Sequence, residues 1–286
     1  MCIRDRFWRP GDGKIVHYIG QDIVYHHCIF WPAMLKGSGY NLPSAIVASG
    51  MVKIEGHNFS RSRGYVVWIE EDYLAQGLNP DLLRYYMVAT TGQTRDLDFS
   101  WDTFHDKVNT ELVGVFGNFV YRALHFSNKH FGSVPEGTLS PEVIAEIEKT
   151  IDGVVAGVNE YELKKVADEV MRLASFGNEY FQSKQPWVLV KEDRDACAQV
   201  LYDSLAIVKA LAVLIEPMMP SIAETIWAQL GYPAEEVHST TFENAKTPPA
   251  PGLPLKKPIP VVSKIDDDLL ARLKSTIETR IRVAEK

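Results

Sequence analysis

Small hydroxyls alternate with guanidinium groups in the run Asn58-Phe59-Ser60-Arg61-Ser62-Arg63-Gly64. An arginine fork makes paired hydrogen bonds to phosphate oxygens and stays charged at any physiological pH. On a glycine-bounded loop, Arg61 and Arg63 therefore suit a polyphosphate whose charge moves during transfer, with Ser60 and Ser62 as neutral donors. The same composition also describes an ordinary solvated loop. A second set is Asp22, Ile23, His27 and Trp31. A carboxylate just after Gly20 can take a ribose hydroxyl or an ammonium group, or can simply cap a helix. His27 and Trp31 are four residues apart and share a helical face, either lining a pocket or packing. The third set is Asn118 and Arg122, an amide and a guanidinium one turn apart, on a polar stripe with Glu111, His125 and Lys129. Gln185-Pro186-Trp187 then offers a tryptophan that can plug a core or carry an unstacked nucleic-acid base.

The elements that must position these groups change character along the chain. Residues 14–20, Lys-Ile-Val-His-Tyr-Ile-Gly, read as a buried strand. Asp22 as N-cap then opens a helix through Leu35. Strand, Gly-x-Asp and helix form the unit of an open parallel sheet, whose ligands lie beyond the carboxyl ends of the strands. A second β-rich stretch, 45–54, leads into the Ser/Arg loop. From Asp102 the periodicity is helical, with Val108, Leu112, Val115, Phe119 and Phe126 as one core-facing stripe. Gly114 and Gly117 in that helix suggest close approach of another chain. Asn159 with Glu162, and Ser221 with Glu224, read as capping boxes. Pro217 and Pro220 stop a long apolar helix over 196–215. Prolines crowd 248–260 and predict an extended crossing, followed by an amphipathic helix with Leu270, Leu273, Ile277 and Ile281 inward.

The 286 residues allow two ordinary cores. Lys209, Glu216 and Pro217 interrupt the longest apolar run, so no membrane span is expected. Cys2, Cys28 and Cys197 form no Cys-x-x-Cys pair, which predicts neither a disulfide framework nor a thiolate zinc site. A reducing, cytoplasmic setting follows. The net charge of −7 argues against non-specific coating of nucleic acid but leaves room for a small RNA site.

The run Gly20-Gln21-Asp22-Ile23-Val24-Tyr25-His26-His27-Cys28-Ile29-Phe30-Trp31-Pro32-Ala33-Met34-Leu35 closely resembles a signature segment of the methionyl-tRNA synthetase family. The Ser/Arg loop resembles that family's Lys-Met-Ser-Lys-Ser loop, with Asn58 and Arg61 in place of the two lysines. Leu83-Arg84-Tyr85-Tyr86 and Asp96-Leu97-Asp98-Phe99-Ser100-Trp101 resemble its connector, and Asn118, Arg122 and Trp187 match its anticodon domain. The resemblance implies an α/β region followed by an all-α one. These are the second half of a Rossmann-like class I catalytic domain with loop and connector over 1–101, and a helix-bundle anticodon-binding domain over 102–245. A Pro-rich linker and terminal helix then occupy 246–286.

It also implies roles for the site residues. Asp22, Asn58, Phe59, Arg61 and Arg63 would bind ATP, with Ser60, Arg61 and Ser62 acting in catalysis. Ile23, His27 and Trp31 would line or support a methionine pocket. Asn118 and Arg122 would read anticodon bases, with Trp187 stacking on one. The implied substrates are methionine, ATP with its Mg2+, and tRNA(Met), with no zinc site and no membrane or DNA partner. The family's His-x-Gly-His motif and first βαβ half do not occur here, and the opening Met-Cys-Ile-Arg-Asp-Arg reads as an incomplete start. The chain by itself is therefore expected to be inactive. Two other readings remain open: a class I synthetase for a different aliphatic amino acid, and a tRNA-binding module without catalysis.

Overall fold

The β-branched run before Gly20 forms strand β1 (Val16–Gly20), which pairs in parallel with β2 (Ala45–Ser49) from Val16↔Ala45 to Gly20↔Ser49. The computed structural model describes residues 3–9, 13–92 and 95–284, so Met1 and Cys2 lie outside the described residues. Contacts group Met1–Val66, Thr90–Ser100 and Ile277–Lys286 into one unit, and Val67–Ala89 with Trp101–Thr276 into another.

In the first unit a short helix, α1 (Ile3–Trp8), precedes β1. Residues 21–37 are helical throughout: a tight turn over Gln21–Ile23, a wide turn over His26–Phe30, then α2 (Trp31–Gly37). The residue ahead of this run is Gly20, and no side chain caps it. Asp22 is therefore not the N-cap that its sequence position suggests. It lies inside the first turn and folds back, so that a Cβ on Gly20 would come within 2.6 Å of its carboxylate. Beyond β2, a second sheet has the order β4-β3-β5, built from β3 (Val52–Ile54), β4 (His57–Asn58) and β5 (Leu97–Phe99), with β3 and β5 parallel. Asp96 joins this sheet to its neighbours. Its carboxylate pairs with Lys53 at 2.9 Å and accepts from the Met51 backbone N–H at 3.0 Å. The hydrogen bond to Lys53 leads the lowering of the Asp96 pKa and, reciprocally, the raising of the Lys53 pKa.

The second unit is helical. After α3 (Pro80–Thr90), the stretch α4 (Trp101–Lys107), a wide-turned segment (Val108–Gly117) and α5 (Asn118–Phe131) continue as one rod. Then come α6 (Pro141–Asn159), α7 (Leu163–Lys184), α8 (Pro186–Glu192), α9 (Arg194–Ile215) and α10 (Pro220–Gln229). The terminal helix α11 (Asp267–Ala284) begins in this unit, and the Asp266 carboxylate accepts from Leu269 N–H in its first turn. By length and hydropathy α9 would also suit a membrane crossing, yet 89% of its most apolar window is buried by the protein itself. Lys209, which breaks the apolar run in sequence, is also buried. Its ammonium donates to Thr247 O at 3.0 Å and sits over the rings of Trp227 and Tyr232.

Neither capping box forms. Asn159 is the last residue of α6, and α7 starts behind Glu162 with no side-chain cap. At α10, the buried Asp81 on α3 accepts from Ile222 N–H at 3.0 Å and from the Ser221 hydroxyl at 2.7 Å. A carboxylate distant in sequence thus replaces the local cap. Glu224 instead meets His238, which also meets Glu216, each at 2.7 Å.

Asp81→Ala removes this remote cap and leaves the Ser221 hydroxyl without its shortest acceptor. It should cost roughly 1–3 kcal/mol in urea unfolding, and an unchanged midpoint would refute the capping role. The hydrogen bond to Glu224, followed by that to Glu216, raises the His238 pKa above 6.5. That stabilisation is fully present below the unfolded pKa and is lost as pH rises through the folded one. His238→Gln should therefore lower the melting temperature at about pH 5 and match the parent protein at about pH 9. A deficit that grows towards alkaline pH would contradict this.

Candidate functional site

The first-unit candidates lie in two chain segments, one that follows β1 and one that follows β3. The imidazole Nδ1 atoms of His17 on β1 and His27 on the following helical run lie 3.0 Å apart, a hydrogen bond that requires one ring to donate and the other to accept. Burial, then the neighbouring His27, lowers the His17 pKa, which favours a neutral ring there. Trp31 stands one turn beyond His27 and meets Trp8 edge-on at 5.8 Å. Trp8, Trp31, Met34, Leu35, Ser38 and Tyr40 enclose an apolar recess of about 430 Å³. Of the expected set Trp31 lines this recess, His27 lies against His17 instead, and Ile23 and Asp22 are exposed. Sequence reading missed His17 and Trp8. Alternation on β1 was the available signal for His17, whereas nothing local points to Trp8.

The Ser/Arg loop is a closed excursion. Ser60 and Tyr65 pair at its neck, with Ser60 N–H donating to Tyr65 O at 2.9 Å, and His57 stacks on Tyr65 at 4.2 Å. Within it the hydroxyls of Ser60 and Ser62 are 3.3 Å apart, and Phe59, Arg61 and Arg63 are exposed. Gly64 closes the loop at φ +78, and any Cβ there would lie 2.7 Å from the Arg280 carbonyl oxygen of α11. Glycine is required twice over, by dihedral and by space. The Arg280 guanidinium donates to Val66 O at 2.8 Å, so the terminal helix holds the loop's exit. This contact is invisible to a local reading, since more than two hundred positions separate its partners.

In the second unit, α5 and α7 approach so closely that a Cβ on Gly177 would meet the Phe119 ring at 2.5 Å. Of the suspected glycines, Gly114 lines the groove beside this contact and Gly117 faces Val262, 3.9 Å from a Cβ placed there. A Cβ on Gly114 or Gly117 would meet chiefly a carbonyl of its own wide-turned segment. Beside this close approach lies a groove of about 650 Å³, lined by Asn118 and Arg122 from one side and Asn178, Glu179 and Gln182 from the other. Asn118 donates to Asn178 Oδ1 at 3.3 Å, and Arg122 donates to Gln182 Oε1 at 3.2 Å. The Arg122 guanidinium also lies 5.0 Å from the centre of the Phe181 ring, which in turn neighbours the half-buried Trp187 at 6.2 Å. Trp187 reaches its place through Gln185, a non-glycine residue at φ 48 that turns the chain between α7 and α8. Asn118 and Arg122 are thus together in one groove, with Trp187 beside it through Phe181. Among the described residues no cluster of three or more His, Cys, Asp and Glu side chains could hold a metal ion.

Two family models match in chain order: tRNA synthetases class I (M) over residues 4–124, and the anticodon binding domain of methionyl tRNA ligase over residues 133–280. The methionine–tRNA ligase of Methanosarcina mazei is 51% identical over 280 residues, covering 98% of this chain and 39% of the relative. That of Methanococcoides burtonii is 50% identical, covering 98% of this chain and 41% of the relative. The chain therefore spans about two fifths of the length of these curated relatives. Crystallised methionyl-tRNA synthetase of Mycobacterium tuberculosis in its free state superposes with a TM-score of 0.74 at 28% identity, over 88% of this chain and 50% of that one. The same enzyme in complex with methionyl-adenylate gives a TM-score of 0.75 at 29% identity, over the same shares. With the catalytic-domain and anticodon-domain models both matched in order, the chain belongs to the methionyl-tRNA synthetase family of class I synthetases.

Proposed function

We propose that this chain supplies the second half of the catalytic domain and the anticodon-binding domain of a cytoplasmic methionine–tRNA ligase. Such an enzyme joins methionine to ATP, releasing pyrophosphate, and passes the aminoacyl group to tRNA(Met). The observation that carries the reading is the groove in which Asn118 and Arg122 stand side by side, in a chain whose other unit presents the Ser/Arg loop.

On this reading the exposed side chains of Tyr25, Ile29, Phe30 and Met34 form a surface that the rest of the catalytic domain covers, since large apolar side chains rarely crowd open solvent. His27 and Trp31 line the methionine pocket with Ile23, and Asp22 takes the adenosine or the α-amino group. Arg61 and Arg63 follow the charge that develops on pyrophosphate, while Ser60, Ser62, Asn58 and Phe59 shape the loop around ATP and its Mg2+. A planar guanidinium in place of the signature lysine keeps the charge but reaches it with a different geometry. In the second unit Trp187 stacks on an anticodon base, and Asn118 and Arg122 meet base edges.

The catalytic part is tested in an enzyme that joins this chain to the upstream portion of a methanogen relative. There Arg61→Ala should lower methionine-dependent ATP–pyrophosphate exchange about 100-fold with little change in methionine affinity, because the loop's charge acts mainly in the transition state. An unchanged rate would transfer the role to Arg63. The RNA part is tested with the chain itself. Trp187→Ala should weaken tRNA(Met) binding roughly 5- to 150-fold, since base stacking on an aromatic ring is worth about 1–3 kcal/mol. A folded variant that binds as tightly as the parent chain would defeat the stacking role.

A further inference from the structure

A primary amide looks alike from both ends, yet one end donates and the other accepts, so its orientation decides what it recognises. Asn178 has no freedom in this respect. Its Nδ2 group donates to two backbone carbonyls, Val115 O at 2.9 Å and Ala174 O at 3.1 Å. Both of its N–H bonds are thereby used, and Oδ1 must point the other way. That oxygen meets Asn118 at 3.3 Å, where only the Nδ2 end of Asn118 can face it. The Asn118 amide is consequently turned with its own Oδ1 away from Asn178, an acceptor with no hydrogen-bond partner among the described residues. One turn along, Arg122 is held by Gln182 and Phe181 and offers only donors.

We propose that Asn178 is a positioning residue that sets the orientation of Asn118, so that the groove selects a base carrying an exocyclic amine next to a ring acceptor. An acceptor beside a donor matches the pairing edges of cytosine and adenine, which present an amine next to a ring nitrogen acceptor. Uracil and guanine present a carbonyl next to a ring N–H, which sets acceptor against acceptor at Asn118 and donor against donor at Arg122. The wide turns over Val108–Gly117 favour this device. They end near Val115, whose carbonyl is shared between the helix and the Asn178 amide.

This inference rests on the groove's being the anticodon site, and the test separates the two. The full chain is titrated at fixed salt with anticodon stem-loops of tRNA(Met) whose first anticodon base is cytidine, uridine, or the pyrimidine that lacks the 4-amino group. The parent chain should prefer cytidine over both others by roughly 5- to 150-fold, the range for a well-formed pair of base contacts. Equal binding of all three would overturn the anticodon reading itself. A preference over uridine but not over the amine-less base would overturn the outward oxygen alone, and needs no variant. In Asn178→Ala the amide of Asn118 is released to turn, and discrimination should fall to less than about a third of the parent value while melting stays cooperative. Adding Asn118→Asp, whose two ends both accept, should restore discrimination without Asn178. Discrimination that survives Asn178→Ala, or that Asn118→Asp fails to restore, would refute the positioning role.

Discussion

A helix that is apolar on every side must be covered on every side, and α9 imposes that constraint on the second unit. From Val200 to Ile215 its residues are buried without a break. Helices α5, α6, α7, α8 and α10 and the short turn Phe242–Lys246 all pack on it. Burying that surface is the main favourable term available, at about 25 cal/mol per Å² of apolar area. It is achieved only if the polar groups carried inside find partners. Asp203 does so with the hydroxyls of Tyr180 at 2.7 Å and Ser140 at 2.6 Å, and Lys209 with Thr247 O and two aromatic rings. The Asp203 contact ties α7 to α9 and to the start of α6, which fixes where α7 presents Asn178 and Gln182.

The groove runs beside the closest approach of α5 and α7, and polar side chains from both helices line it. Gly177 lets the Phe119 ring in, and the wide turns ahead of Asn118 shift the following turn and leave Val115 O open to a side chain. Close packing and an open polar groove thus come from neighbouring residues of the same two helices. The loop of the first unit shows a comparable economy. Gly64 brings α11 against the loop's exit, and Arg280 holds it, while the tip with Arg61 and Arg63 faces solvent. An anchored neck with an exposed tip suits a loop that must follow a charge without losing register.

Much of this was legible in sequence because it depends on short-range periodicity. β1, the helical run after it, the α5 stripe, α9 and the proline-rich crossing all follow from alternation, 3.6-residue spacing or ring constraints. The failures share one physical cause. Asp22, Asn159 and Ser221 each have the side chain of a local cap, but a cap is chosen by whichever acceptor reaches the free N–H groups. At α10 that acceptor is Asp81, 141 positions away. Gly114 and Gly117 carried the local signal for close approach, whereas the contact between α5 and α7 is at Gly177, because only the packed helix pair shows which glycine faces a ring. Asn118 and Arg122 were legible as a pair, one turn apart. Asn178 and Gln182, which accept hydrogen bonds from them, lie sixty positions on and carry no mark of their own.

The charge balance explains why orientation matters so much here. With 37 acidic against 30 basic residues, the protein gains little from the general attraction that dominates most nucleic-acid binding. Glu179 in the groove itself offsets part of the charge on Arg122. On the proposed reading the groove distinguishes RNAs through a few contacts whose geometry is fixed before binding, because an amide free to turn would satisfy the wrong base as readily as the right one. Fixing the Asn178 amide with two backbone carbonyls ties the proposed specificity to the main chain of α7 and of the wide turn. On the proposed anticodon reading the same arrangement limits ordering on binding, since the side chains proposed to meet the base are already held by Asn178, Gln182 and Phe181. Selectivity in an acidic protein then depends less on how strongly RNA is attracted than on how few ways a base can satisfy the groove.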